Sequence, residues 1–278
     1  SSFYELSFRD PWFLDKPVLF GTGIYKTTRK FIGYERKGVG FDVSLGKSLA
    51  EYWRGDITYN YEKATIYNVD SNSSSLIKSQ EGSKTTSSIT PGVGRDTRDN
   101  FLDPHTGSRN SMYVTYAGLG GDNNFVKANV DSGWFFPVYE TTFSLRGRYG
   151  YGSGISGKPL PLYERYYVGG IYTVRGLGFG EGGPRDSSGR VVGGTKQAIF
   201  NAEYVFPLIA ELKLKGVVFY DAGKAYDSWS DERLRYTAGG GIRWISPIGP
   251  LRVEWGYNLD QKQGEKQSRW EFTFGTFF

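Results

Sequence analysis

What most constrains this chain is a two-residue alternation of apolar and polar side chains, sustained over long runs and cut by Gly, Asn, Asp, Ser and Pro. Leu251, Val253, Trp255, Tyr257 and Leu259 alternate with Arg252, Glu254, Gly256 and Asn258. Successive side chains of a strand point to opposite faces, so such a run has one apolar face and one charged face. In the same way Ala198, Phe200, Ala202, Tyr204 and Phe206 oppose Gln197, Asn201, Glu203 and Val205. Leu214, Val218 and Tyr220 oppose Lys215, Phe219 and Asp221. Almost nothing reads as helix.

About fourteen segments follow this rule, near 3–13, 16–30, 37–48, 52–68, 84–98, 108–121, 125–138, 141–153, 162–172, 196–208, 211–225, 234–246, 250–260 and 268–278. Many exceed the roughly 5–6 residues of soluble strands and reach the ~9–11 that cross a bilayer at a tilt. Short turns (206–209, 246–250) alternate with long polar ones (70–83, 177–195, 260–267), the asymmetry of outer-membrane barrels. Aromatic residues near the strand ends, among them Trp12, Trp134, Tyr166, Tyr167 and Trp244, suit an interfacial girdle. A sheet with an open edge leaves backbone groups unsatisfied in lipid. The reading is therefore all-β: one antiparallel transmembrane β-barrel over residues 1–278. A soluble all-β domain is the alternative that alternation alone leaves open. In the barrel, Phe200, Leu214 and Val253 face lipid. Asn201, Arg252 and Asn258 face a solvated lumen, where an added charge is expected to be tolerated.

Composition narrows the chemistry. With no Cys among 278 residues there is no disulfide scaffold, zinc-thiolate site or Cys nucleophile, and one His rules out a multi-histidine centre. No run approaches the ~20 apolar residues of a membrane-spanning helix. The net charge of +5 comes from interleaved acids and bases, not from the clustered patch of a nucleic-acid binder. His105, in Asp103-Pro104-His105-Thr106-Gly107, reads as a solvated turn residue. The Gly-rich stretch 176–183 lacks the strand–helix context of a phosphate loop. No catalytic, cofactor or metal site is expected, nor enzymatic activity.

Two segments carry a more specific signal. The chain closes on Gln267-Ser268-Arg269-Trp270-Glu271-Phe272-Thr273-Phe274-Gly275-Thr276-Phe277-Phe278, an alternating strand ending in Phe. It resembles the C-terminal targeting signal of bacterial outer-membrane proteins. Gly169-Gly170-Ile171-Tyr172-Thr173-Val174-Arg175-Gly176-Leu177-Gly178-Phe179 opens the longest loop. Its Val174-Arg175-Gly176 resembles the VRGF/Y loop motif of the BamA/TamA-type family of outer-membrane assembly factors. Leu177 stands where an aromatic is usual, with Phe179 two residues on. Segments 3–13, 95–109, 219–223 and 244–251 are similar to that family's barrel in the same order, most closely to its BamA branch.

The resemblance implies a barrel of sixteen strands in which the loop 173–195 folds into the lumen. There Arg175, within Val174-Arg175-Gly176-Leu177, meets carboxylates matching Glu203 and Asp221. Arg suits such carboxylates through its five-donor fork. The first segment aligns with the family's third strand and no POTRA domain precedes it, which points to a fragment or else a smaller barrel. The implied activity is folding and insertion of β-barrel proteins into the bacterial cell outer membrane. The implied route is a lateral seam between first and last strands, with Trp270, Phe272, Phe274 and Phe278 on the closing side. The implied partners are outer-membrane lipids and lipopolysaccharide, nascent outer-membrane proteins, POTRA domains and accessory lipoproteins. A porin or substrate channel, a TamA-like role and a two-partner-secretion export pore remain alternatives.

Overall fold

A computed structural model describes residues 2–31, 33–231, 233–247 and 249–275. Among them are thirteen strands: β1 (Ser2–Asp10), β2 (Leu19–Phe31), β3 (Tyr34–Ala50), β4 (Trp53–Tyr67), β5 (Gly82–Asp96), β6 (Gly107–Gly121), β7 (Phe125–Val138), β8 (Thr141–Gly154), β9 (Lys196–Ile209), β10 (Leu214–Tyr226), β11 (Arg235–Ser246), β12 (Gly249–Asn258) and β13 (Ser268–Phe274). They form one sheet in chain order, every neighbouring pair antiparallel. The α-helix found among the described residues is a single turn, Ser75–Lys78. No ladder joins β1 to β13 among the described residues.

The pleat sorts the side chains as the alternation requires. On β9, Phe200 and Tyr204 are exposed while Ile199, Asn201, Glu203 and Val205 are buried. On β10, Val218 and Tyr220 are exposed and Val217, Phe219 and Asp221 buried. On β12, Val253 and Tyr257 face out while Arg252, Glu254 and Asn258 face in. Apolar side chains thus line the outside and charged ones the inside, an inversion of a soluble protein that only a hydrocarbon surround rewards.

Residues 162–172 are not a strand. They hold a single 3-10 turn at Leu162–Glu164 and an isolated bridge from Tyr166 to Gly194. Gly169 and Gly170 take positive φ, and a Cβ on Gly169 would lie 1.9 Å from the Gly178 carbonyl oxygen. The alternation here reflects packing inside the long connection 155–195: Leu162, Tyr166 and Val168 are buried within the molecule rather than on a lipid face.

That connection shapes the sheet. It meets the early strands through Arg36 stacked over Tyr163 (4.4 Å), through Gln80, which accepts from the Leu162 amide (2.8 Å), and through a buried cluster of Tyr34, Ile66, Ile77, Leu162 and Val192. It meets the last strand through Arg269–Glu181 (2.7 Å) and Tyr172–Thr273 (2.7 Å). One connection touching both β3 and β13 requires the sheet to curl around it.

Candidate functional site

The tip of this connection is residues 171–177, and its position rests on small residues. Gly176 has φ +84°, and its missing Cβ faces the backbone of Gly256 on β12 at 2.7 Å. The reciprocal Cβ on Gly256 would lie 2.6 Å from the Gly176 nitrogen. Neither glycine can gain a side chain without pushing the loop off the wall. Val174 and Leu177, both fully buried, pack with Val168, Ile199 and Ala225. Leu177 therefore fills the apolar slot itself. Phe179 turns the other way and stacks on Tyr167 at 5.0 Å, with Phe31 beyond.

Anchored on both sides by apolar contacts, Arg175 points into the sheet's inner face. Its Nε and Nη2 donate to the two oxygens of Asp221 (2.7 and 2.6 Å), and its own backbone N–H donates to Asp221 Oδ2 (3.0 Å). Nη1 donates to Glu203 (2.6 Å) and to Glu254 (3.0 Å). Below the guanidinium lies the Phe219 ring, 3.6 Å from Cζ to centroid, an additional attraction for a cation. Burial disfavours the charged form, but Glu203 and Asp221 outweigh it and hold the guanidinium pKa well above its ordinary value.

A second guanidinium shares the same acids. Arg243 of β11 donates to both oxygens of Glu203 (2.8 and 2.9 Å) and to Glu254 (2.8 Å). Two arginines thus face three carboxylates, Glu203, Asp221 and Glu254, from β9, β10 and β12. Arg252, buried nearby, adds positive charge beside Glu254. Asn201 bridges, donating to Asp221 (2.8 Å) and to the Thr173 carbonyl (2.9 Å). Arg148 donates to Asn201 (2.8 Å) and to the Tyr172 carbonyl. Beside this network is a cavity of about 310 Å³, walled by Arg109, Asp131, Arg146 and the loop residues 171–173 among others.

Sequence reasoning brought Arg175, Glu203 and Asp221 together but passed over Glu254 and Arg243. Both carried a usable signal, since each is a charge set between outward apolar residues: Val253 and Trp255 about Glu254, Ile242 and Trp244 about Arg243. Missing was the register that makes them level with Arg175.

The closing-strand residues stand apart from this network. Trp270, Phe272 and Phe274 project from the outer face of β13, opposite Trp255, Val253 and Leu251 of β12. Phe278 lies outside the described residues. The inner face of β13 touches the loop through Arg269 and Thr273.

Comparison with known proteins fits this geometry. The outer membrane protein assembly factor BamA of Nitratidesulfovibrio vulgaris is 32% identical, the match covering 98% of this chain and 36% of the relative. That of Neisseria meningitidis is 28% identical over 99% of this chain and 41% of the relative. The chain thus spans well under half the length of these curated relatives. Among solved structures, BamA from Haemophilus ducreyi lacking POTRA domains 1–3 superposes with a TM-score of 0.87 at 21% identity, covering 99% of this chain and 62% of that one. CdiB from Acinetobacter baumannii matches less well, with a TM-score of 0.58 at 14% identity over 96% of this chain and 48% of that one. The fold is that of the BamA barrel. The Omp85 superfamily domain model matches residues 1–278 without remainder, and the chain belongs to the Omp85 superfamily.

Proposed function

We propose that this chain is the barrel portion of an outer-membrane protein assembly factor, folding and inserting β-barrel proteins into the bacterial outer membrane. The observation that carries the reading is one connection that is clamped by Arg175 to β9, β10 and β12 and also reaches β13 through Glu181 and Tyr172. A strand at a sheet's end exposes unpaired N–H and C=O groups, which can template an incoming strand. A loop holding the inner face of β13 sets how that strand presents its edge. In this mechanism the protein does no covalent chemistry: it supplies an edge, a seam and a braced interior. Its partners are then unfolded outer-membrane proteins, with periplasmic POTRA domains and accessory lipoproteins acting in the longer protein.

A passive channel fits less well, because residues 155–195 occupy the concave face that a conduction path would need. The test is reconstitution of the full-length protein in vesicles, with the appearance of heat-resistant, folded client barrel followed by gel mobility. Client folding well above that of empty vesicles, and reduced by Arg175→Ala, supports assembly. No acceleration, together with large steady single-channel currents, overturns it in favour of a porin.

A further inference from the structure

The outer surface of the sheet is not uniformly apolar. Across β6–β13 the outward positions of the central band, including Met112, Val130, Tyr149, Phe200, Val218, Ile242, Val253 and Phe272, are uncharged and exposed. The outward lysines of those strands, Lys196 and Lys224, lie at the long-loop rim and donate to the Asp227 and Trp229 carbonyls (2.8 and 2.6 Å).

Strands β2–β4 depart from this pattern. Val39 is outward and exposed, and its cross-strand partners are Lys26 on one side and Lys63 on the other. Lys37 stands two residues further along β3, between Thr28 and Thr65. All three lysines are exposed, and none has a carboxylate partner among the described residues. The nearby acids are engaged elsewhere: Glu35 with Lys30 (3.9 Å), and Asp122 with Thr85 (2.8 and 2.9 Å).

Strand spacing of ~4.8 Å and a rise of ~3.4 Å per residue place the three Cα atoms roughly 8–10 Å apart. Lysine side chains are long enough to bring three ammonium groups onto one headgroup from there. One row toward mid-membrane, Ile24, Phe41 and Tyr61 restore the apolar band, with Phe41 and Tyr61 stacked at 5.8 Å. The lysines therefore sit where hydrocarbon gives way to headgroups, on the side of the long loops, which in outer-membrane barrels faces the cell exterior. A lysine within hydrocarbon is costly, whereas at this level its stem lies on apolar surface and its ammonium meets anions.

We propose that Lys26, Lys37 and Lys63 form a binding site for the phosphorylated headgroup of an outer-leaflet lipid. The occupant is a membrane lipid, not free phosphate, because the cluster is continuous with the lipid-facing apolar band. The inference rests on the outer-membrane placement and not on the assembly activity, so the two fail separately.

The test uses the purified chain in phosphatidylcholine nanodiscs containing either diphosphorylated lipid A or lipid A stripped of both phosphates. Lipid retained after gentle detergent extraction is counted by native mass spectrometry. The parent should retain the diphosphorylated form about tenfold or more over the stripped form, and excess inorganic phosphate should not displace it. Lys26→Gln/Lys37→Gln/Lys63→Gln should abolish the preference, the matching triple Arg variant should keep it, and the single Gln variants should weaken it stepwise. Lys47→Gln, at the opposite end of β3, should leave it intact. Equal retention of the two lipids by the parent, displacement by phosphate, or an undiminished preference in the Gln variants would overturn the proposal.

Discussion

Removing the guanidinium at Arg175 tests the network most directly, because its partners are not equally placed to survive the loss. In Arg175→Ala, Glu203 and Glu254 keep Arg243. Among the described residues Asp221 keeps the hydrogen bonds of the Asn201 amide and the backbone N–H of residue 175, with the Arg148 guanidinium at longer range. It is fully buried, so a carboxylate stripped of its bidentate partner remains beside two others. Orphaning one partner of a buried ion pair costs about 3–5 kcal/mol, and Asp221 places this site in that range. Asp221→Asn is milder, since Arg175 still has Glu203 and Glu254, and the change removes one anion from a cluster in which every remaining acid keeps an arginine. We expect about 1–2 kcal/mol for that change. The double variant should cost about 1.5–3 kcal/mol less than the sum, because the second change removes the charge that the first one orphans. Arg175→Lys should recover only part, since an ammonium cannot span both Asp221 oxygens and Glu203 at once. Urea titrations of the chain in micelles, read as the fraction keeping folded gel mobility, supply the four stabilities of the cycle. Additivity within about 0.5 kcal/mol would refute the coupling of Arg175 to Asp221.

Other expectations follow from the same geometry. Gly256→Ala inserts a methyl group against the Gly176 backbone and should cost about 1–3 kcal/mol, with faster proteolysis within residues 184–190 as the loop lifts. Arg substituted at Phe200 or Val253 should cost about 2–4 kcal/mol in vesicles when the site lies near mid-bilayer, and much less in micelles; equal costs in the two media would refute the lipid-facing assignment. Asp227 ties the long connection to the β10–β11 turn through Arg165 (2.6 Å) and the Thr195 amide (2.8 Å). Burial raises its pKa, but Arg165 and the Thr195 amide win and hold it below the ordinary carboxylate value. A depressed carboxylate stabilises above its unfolded pKa, so this tie should hold at neutral pH and loosen progressively as pH falls below about 4, seen as faster amide exchange around Thr195. Asp227→Asn should remove that pH dependence.

Much of the fold is legible in the alternation, because a strand between lipid and an interior has no choice about which residues face out. The runs near 52–68, 125–138 and 196–208 coincide with β4, β7 and β9 to within about one residue at either end. Residues 162–172 mislead for a physical reason: buried side chains spaced two apart, such as Tyr166 and Val168, look the same whether a lipid face or an inner core takes them. The interior is half legible. Asn201, Arg252 and Asn258 face inward as the alternation requires, but not onto the solvated wall that it suggests. All three are buried, Asn258 completely so, with its amide close to Glu265 (3.3 Å) and the Arg235 guanidinium nearby (3.4 Å). Alternation reveals which way a side chain points and nothing about what fills the space it points into. His105 lies in a bend with its side chain 41% exposed, as read, and what the alternation does not reveal is its contact to Thr142 through Nδ1 (2.9 Å) beside the Lys215–Asp103 pair.

The ladder and the long connection differ in how they can come into being. Among the described residues each strand pairs with its neighbours in the chain, so hairpins can zip one after another at small loop-closure cost. The connection instead joins distant parts: Leu162 reaches back 82 residues to Gln80, and Arg190 reaches back 117 to Ser73. Its partners on β3–β5 precede it in the chain, whereas Asp221 and Glu254 follow it by 46 and 79 residues. A growing chain therefore holds the apolar half of the clasp long before the charged half. Until β12 is in place Arg175 lacks its full set of acids, and until β13 follows the connection has no partner at the far end of the sheet.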